Sequence, residues 1–422
     1  MKSAHATVRA LLAAVLLAGP AAAQTVRTWT SNSDQRWNRN QNWSGNNPAN
    51  ANNEIAQFGT GSQLNPELNA NNLAVRGIRF SSGAAGYQVG DDNGSRTLKI
   101  GNNSSGFIEN LSAADQAISI ATLQFQSDAT IRTTGAGMLT LDSKLTGNNR
   151  DLTFTTTADI RVNGNITTGG GTLTKDGAGS LLLAGANTYT GQTTIDAGAI
   201  VLAAANVFAD SAVVSIGAGA TLGLAGYSDT IARLGGAGSV DLGTGGSLTL
   251  GAGTSVFGGA FLGSGTLIIG SGATLTLGAD FNNAGLDITL AGGTLQLAGH
   301  AFTAGSLTVT GNSVIDFATG SPSVFDIASL AFGSGSLQLT VQNWTDATDY
   351  FYSQTGYVQG SAPLDQVQFQ GWTTNDTKWQ SFDNQVTPVP EARAYGAGLL
   401  ALVSAMVWWR RRAAVVRDCQ AG

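Results

Sequence analysis

Short runs of alternating apolar and polar residues recur along the chain. LAVRGIRF at residues 73–80, RTLKI at 96–100, ISIATLQF at 118–125 and DLTFTT at 151–156 are each bounded by Gly, Asn, Ser or Asp. A period of two between such turn residues predicts β-strands. Over residues 169–340 the pattern becomes a repeat, a Gly-rich turn followed by a Leu-x-Leu strand. It is seen as SLLLAG at Ser180, TLGLAG at Thr221, SLTLGAG at Ser247, TLTLGA at Thr274 and GTLQLAG at Gly293. Val240 and Leu248 lie eight residues apart, as do Leu267 and Leu275, and the two pairs are 27 apart. Such a period predicts a solenoid coil with two strands and room for a third. No stretch of the body has the 3.6-residue period of an amphipathic helix. The pattern therefore predicts an all-β protein, a right-handed parallel β-helix (β-solenoid) over residues 169–340. A β-rich, Asn- and Trp-rich region at 24–168 and a polar β segment with linker at 341–387 flank it. In each coil alternate Leu, Ile and Val should face inward and stack on their counterparts one coil away, with Thr and Ser outward.

The two ends carry a different pattern. Lys2 and Arg9, an apolar stretch at residues 11–19, and Ala21, Ala22 and Ala23 read as a secretory signal peptide over residues 1–23. Cleavage between Ala23 and Gln24 is expected, which implies the general secretion machinery and a signal peptidase as partners. Near the other end, an apolar run at 394–409 is followed by Arg410, Arg411 and Arg412. Apolar span, interfacial Trp408 and Trp409, and a basic flank predict a transmembrane helix with its tail inside the cell.

Composition narrows the function classes. Of 422 residues 57 are Gly and only 7 Pro, without a three-residue period, which excludes collagen. Charged residues are 11% and hydrophobic ones 42%, which argues against disorder. Cys419 is the one cysteine, so there is no disulfide framework. With His5 in the leader, His300 alone remains for chemistry, and it reads as a corner residue. Residues 24–175 hold 12 basic and 11 acidic side chains, whereas residues 176–391 hold Arg233 and Lys378 against 15 acidic ones. Such a surface repels phosphate backbones, so no nucleic-acid partner is expected.

Residues 169–202, GGGTLTKDGAGSLLLAGANTYTGQTTIDAGAIVL, resemble the autotransporter-associated β-strand repeat. Leu173, Lys175, Gly177, Leu181, Leu183, Asn187, Tyr189, Gly191, Thr193, Thr194 and Gly198 stand at that family's positions. The resemblance covers one full copy and implies a β-helical part of a surface passenger, with no catalytic residue. A second resemblance, at residues 388–412, is to the PEP-CTERM sorting signal. Val389, Pro390 and Glu391 stand for its tripeptide, with Ala392 where the second proline is expected, and Arg410, Arg411 and Arg412 for its basic cluster. It implies an exosortase-type sorting protease as partner. The protein would be anchored transiently in the inner membrane and then placed at the cell surface, in the outer envelope or outside the cell. Residues 413–422 form a short tail beyond the signal.

Candidate chemistry is sparse. Asp91 and Asp92 in GDDNG could serve acid/base work on a glycosidic bond, but flanking strands make them read as a hairpin turn. The remaining acids are spread singly and read as solvated turn positions, so neither a metal nor a cofactor is expected. Trp29, Trp37 and Trp43 fall within fifteen residues. They are the candidate glycan contacts, with extracellular polysaccharide as partner, or else they cap an open solenoid end. The sequence thus points to a non-enzymatic, exported, structural or adhesive protein. A carbohydrate-active β-helix enzyme predicts instead two or three carboxylates in one groove, and a glycan-binding module predicts two exposed indoles side by side.

Overall fold

The computed structural model describes residues 24–388 apart from 32–33, 102–104 and 374–375. The expected signal peptide, with Ala21 and Ala23, and the sorting tail from Val389 through Arg412 lie outside the described residues. Gln24 opens the described chain and is exposed. Among the described residues no helix is long and apolar enough to cross a membrane.

The chain winds as a right-handed parallel β-solenoid. One face is a sheet of 16 strands laid down in chain order, from Thr25–Thr28 to Val367–Phe369. At a parallel-strand spacing of about 4.8 Å this face is roughly 70 Å long. A second face runs through five strands from Leu73–Val75 to Ile166–Thr167. A third carries Leu139–Leu141, Ile160–Val162 and Ser180–Leu183 onward to Tyr350–Ser353.

The ladder crosses residue 168 without a break, since Leu152–Thr156 pairs in parallel with Leu173–Asp176. Residues 24–168 are therefore solenoid as well, rather than a flank. The expected coil length also needs correction. Thr274 pairs with Thr294 and Thr294 with Val314, so a central coil takes 20 residues. Val240 and Leu248 belong to one long strand, Ser239–Leu250, which turns a corner through a register shift. Their eight-residue spacing is a path around one coil, as expected, but the step to the next coil is 21 residues at Val240 and 19 at Leu248, not 27.

Inside, the alternation works as expected. Leu152, Leu173, Thr193, Val214 and Leu234 form one in-register column of the long sheet, all buried. Each buried aliphatic side chain contributes about 1.5–3 kcal/mol relative to exposure. Further along, Phe261, Phe281, Phe302, Phe325 and Phe351 stack in sequence, with ring centroids 4.7–5.9 Å apart. Corner glycines serve two needs. Gly177 sits at φ 80°, a left-handed turn. At Gly135 the constraint is space, because a Cβ there would lie 1.9 Å from the Ser112 carbonyl oxygen one coil before. Close stacking of coils, as much as positive φ, thus explains the glycine content.

Both ends are covered. At the last coil a hairpin of Thr377–Gln380 and Gln385–Pro388 pairs antiparallel with itself and docks on Tyr350–Ser353 through Gln385 and Tyr352. At the first coil Trp29, Trp37 and Trp43 fold inward.

Candidate functional surface

The repeat-like segment at 169–202 supplies buried polar side chains that tie coils together. Lys175 lies in the inner column between Phe154 and Ile195, where a hydrocarbon would be expected. Its Nζ donates to the carbonyls of Asp176, Gly177 and Ala197 at 3.0, 2.7 and 3.0 Å, joining two successive corners. Burial pulls this amine down to about 8, partly opposed by Asp176 and Asp159.

Regular strands lapse on the second face between Ile166–Thr167 and Ser228–Ile231. Side chains there supplement the few backbone bonds that still join the coils, such as Thr188 to Ile166 and Asn206 to Ser228. Buried Asn187 accepts from the Ile166 amide at 2.8 Å and donates to the Val207 carbonyl at 3.0 Å. Buried Asp229 then accepts from the amides of Val207 and Phe208 at 2.9 and 3.1 Å. Burial raises the Asp229 carboxyl, and these amide bonds hold it back down. Buried Tyr189 shares a 2.6 Å hydrogen bond with Thr193, and burial raises its phenol above the usual range. The sequence signature Asn-Thr-Tyr at 187–189 is thus built into the scaffold.

The three N-terminal tryptophans are at most 1% exposed. Trp43 lies 5.2 Å from Trp29 and 5.0 Å from Trp37, and all three pack on Phe58. Their indole nitrogens donate to the carbonyls of Gln63, Ala49 and Trp37. No ring face is left for a sugar, so the exposed pair required of a glycan module is not found at these residues. They plug the first coil.

Asp91 and Asp92 form a turn, but not a hairpin turn. Gln88–Asp91 and Thr97–Ile100 belong to different sheets and each pairs in parallel with other coils, so the turn is a solenoid corner. Asp91 accepts from the Asn93 amide and, one coil on, from the Ala121 amide at 2.7 Å. Arg96 holds Asp92 in a paired contact and keeps its carboxyl below the usual range. The same duty recurs along the rod. Asp128 accepts from Asp151, Asp151 from Thr172, Asp159 from Ser180 and Asp280 from Ala301, each through the amide 21 or 23 residues on. A carboxylate at a strand start stitches its coil to the next. His300 is a corner residue, 3.3 Å from Asp280. On the long sheet Glu109 is fully buried and bridges Arg79 and Arg132 of the adjacent coils. Among the described residues no group of three His, Cys, Asp or Glu side chains could hold a metal. A shallow cleft near the last coils is lined by Asn312, Ser336, Gln338 and Gln366 with Asp365 its one carboxylate.

At the C-terminal coils two half-buried tyrosines lie on the outer face of a strand near an exposed phenylalanine. Tyr350 and Tyr352 lie on one face of their strand, with rings parallel within 5° and centroids 5.6 Å apart. Asp326 is in register with Tyr352, and Phe382, at the hairpin tip, is 81% exposed. The DYFYS spacing held this signal, two tyrosines at alternate positions.

Comparison with known proteins adds a decisive observation at residues 173–202. This segment matches the passenger-associated-transport-repeat family. The passenger repeat thus coincides with the coil built around Lys175 and Asn187. The chain is also 42% identical over 191 residues to the adhesin BmaC autotransporter of Brucella suis biovar 1 (strain 1330). That similarity spans 41% of this chain and 6% of the much longer adhesin. No solved structure matches the chain.

Proposed function

We propose that the protein is an exported structural and adhesive rod displayed at the cell surface, of the kind that forms autotransporter passengers. The observation that carries this reading is the 191-residue similarity to an adhesin. An uninterrupted solenoid with covered ends supports it. Carboxylates that bind neighbouring backbone amides, rather than converging on a groove, favour a scaffold over a glycosidic active site. Extracellular polysaccharide is retained as a partner class for the surface as a whole. Export proceeds through the signal peptide, with processing at Ala23–Gln24. Delivery proceeds through the PEP-CTERM-like tail, with Pro390 and Glu391 presented to an exosortase-type protease.

Two measurements test the reading. Cells expressing the full chain should adhere to a substratum more strongly than cells lacking it, and protease treatment of intact cells should remove the difference. Intact mass of the native protein from membrane and medium fractions should give a released form beginning at Gln24 and ending near Glu391. Adhesion indifferent to the protein would overturn the adhesive role. A membrane form retaining Arg410 to Gly422, with no released form, would overturn sorting by the tail.

A further inference from the structure

We infer that Tyr350 and Tyr352, flanked by Asp326 and Asp383, form a docking platform for arginine-bearing segments of a partner protein. The inference rests on the adhesive reading and deepens it by naming the chemistry held. The two half-buried rings lie on the outer face of Tyr350–Ser353, parallel within 5° and 5.6 Å apart. The Tyr350 hydroxyl is tied back to the Ala347 carbonyl, which anchors the pair. Asp326 lies in register beside Tyr352, and its carboxylate is oriented by the Gln354 amide at 2.9 Å. Asp383 belongs to the hairpin turn next to exposed Phe382. Burial first, and then the fields of Tyr350, Asp383 and Asp326, raise the Tyr352 phenol, so both carboxylates act on that ring.

Charge selects the occupant. From residue 176 to residue 388 the chain has Arg233 and Lys378 as its only arginine and lysine side chains, Lys378 on the capping hairpin, against 14 acidic ones. Among the described residues the one cation over a ring is Arg79 over Phe107, far from this strand, so neither tyrosine ring has a cation of the chain stacked on it. Aromatic rings beside carboxylates attract a cation, and guanidinium is favoured because its plane stacks on a ring while its N–H fork meets a carboxylate. An acidic glycan or a phosphate would be repelled here.

The test is a titration of purified full chain with an acetylated, amidated hexa-arginine peptide at physiological salt. Binding should weaken about tenfold in the Tyr350→Ala/Tyr352→Ala double variant, whose net charge is unchanged. It should survive in Tyr350→Phe/Tyr352→Phe, which keeps the rings. Asp326→Asn should weaken it and Asp210→Asn, a distant exposed acid, should not. If the alanine pair unfolds by circular dichroism, a Leu pair that keeps apolar cover replaces it. Unchanged binding in the ring-free variant, or equal loss in Asp210→Asn, would overturn the platform in favour of a diffuse acidic field. Tyrosine-dependent uptake of cellohexaose without uptake of the peptide would overturn it in favour of a glycan site. Cell adhesion without peptide binding sinks only the platform, whereas peptide binding without adhesion sinks only the adhesive role.

Discussion

Lys175 replaces a hydrocarbon in the inner column with an amine whose three donors all reach carbonyls. Because its folded pKa is depressed to about 8 from 10.5, the unfolded chain binds more protons between those values. Its contribution to stability is therefore present above 10.5 and is lost as pH falls through about 8. Thermal melts should show the wild type gaining stability from pH 8 to 10 relative to Lys175→Met. The variant itself should be weaker by about 1–3 kcal/mol, since buried carbonyls lose their donor. Asp229 and Asp280 should respond to acid with opposite signs. Burial raises Asp229, so its share of stability is present below the ordinary carboxylate value and is lost as pH rises through its folded pKa. The Ala301 amide, and then His300, lower Asp280, so its share is present above that value and is lost as pH falls. Melts of Asp229→Asn and Asp280→Asn against wild type between pH 3 and 6 should therefore diverge in opposite directions.

At the scale of the coil, the strands and their inward alternation were legible because period two survives in short segments. Coil length was not. Within Ser239–Leu250 a corner at Gly243 and Gly245 separates two Leu-bearing segments on different faces of one coil, and the 27-residue step from Val240 to Leu267 joined the two faces, whereas Val240 pairs with Phe261 and Leu248 with Leu267. The N-terminal half hid its coils for another reason. Ile78 pairs with Ile108, 30 residues on, and Ile108 with Ile131, 23 on, so insertions at the corners blur the period. The duty of the single aspartates was invisible for the same cause, since their amide partners lie a full coil away and only the register brings them together. Burial of Trp29, Trp37 and Trp43 was half legible, as a cap weighed against a sugar platform. Composition cannot say which way an indole faces. Close stacking makes a strong prediction at the corners. Gly135→Ala would push a methyl into the Ser112 carbonyl, and denaturant melts should show a loss of about 3 kcal/mol or more, as for overpacked interiors.

Across the molecule, position in the chain is position along the rod, because each strand of the long sheet pairs with its neighbours in chain order. The charge asymmetry of the sequence becomes a polarity in space. The early coils are near neutral and carry ion-paired arginines such as Arg27, Arg79 and Arg132, while the late coils are acidic. Raising salt should therefore stabilise the late coils more than the early ones, which hydrogen exchange resolved by peptide would read directly. Stability in such a stack is a sum of coils and their interfaces, so fraying begins where a coil has a neighbour on one side only.

The tryptophans follow the same mapping. Trp29, Trp37 and Trp43 sit in the first coil, Trp344, Trp372 and Trp379 pack in or beside the last ones, and residues 44–343 contain none. In a chain ending near Glu391, which lacks Trp408 and Trp409, indole emission therefore carries light from the two tips of the rod and stays dark through its middle. A red shift that precedes the loss of far-ultraviolet circular dichroism would record the ends peeling while the central coils stand. The rod comes with its own optical gauge of where unravelling starts.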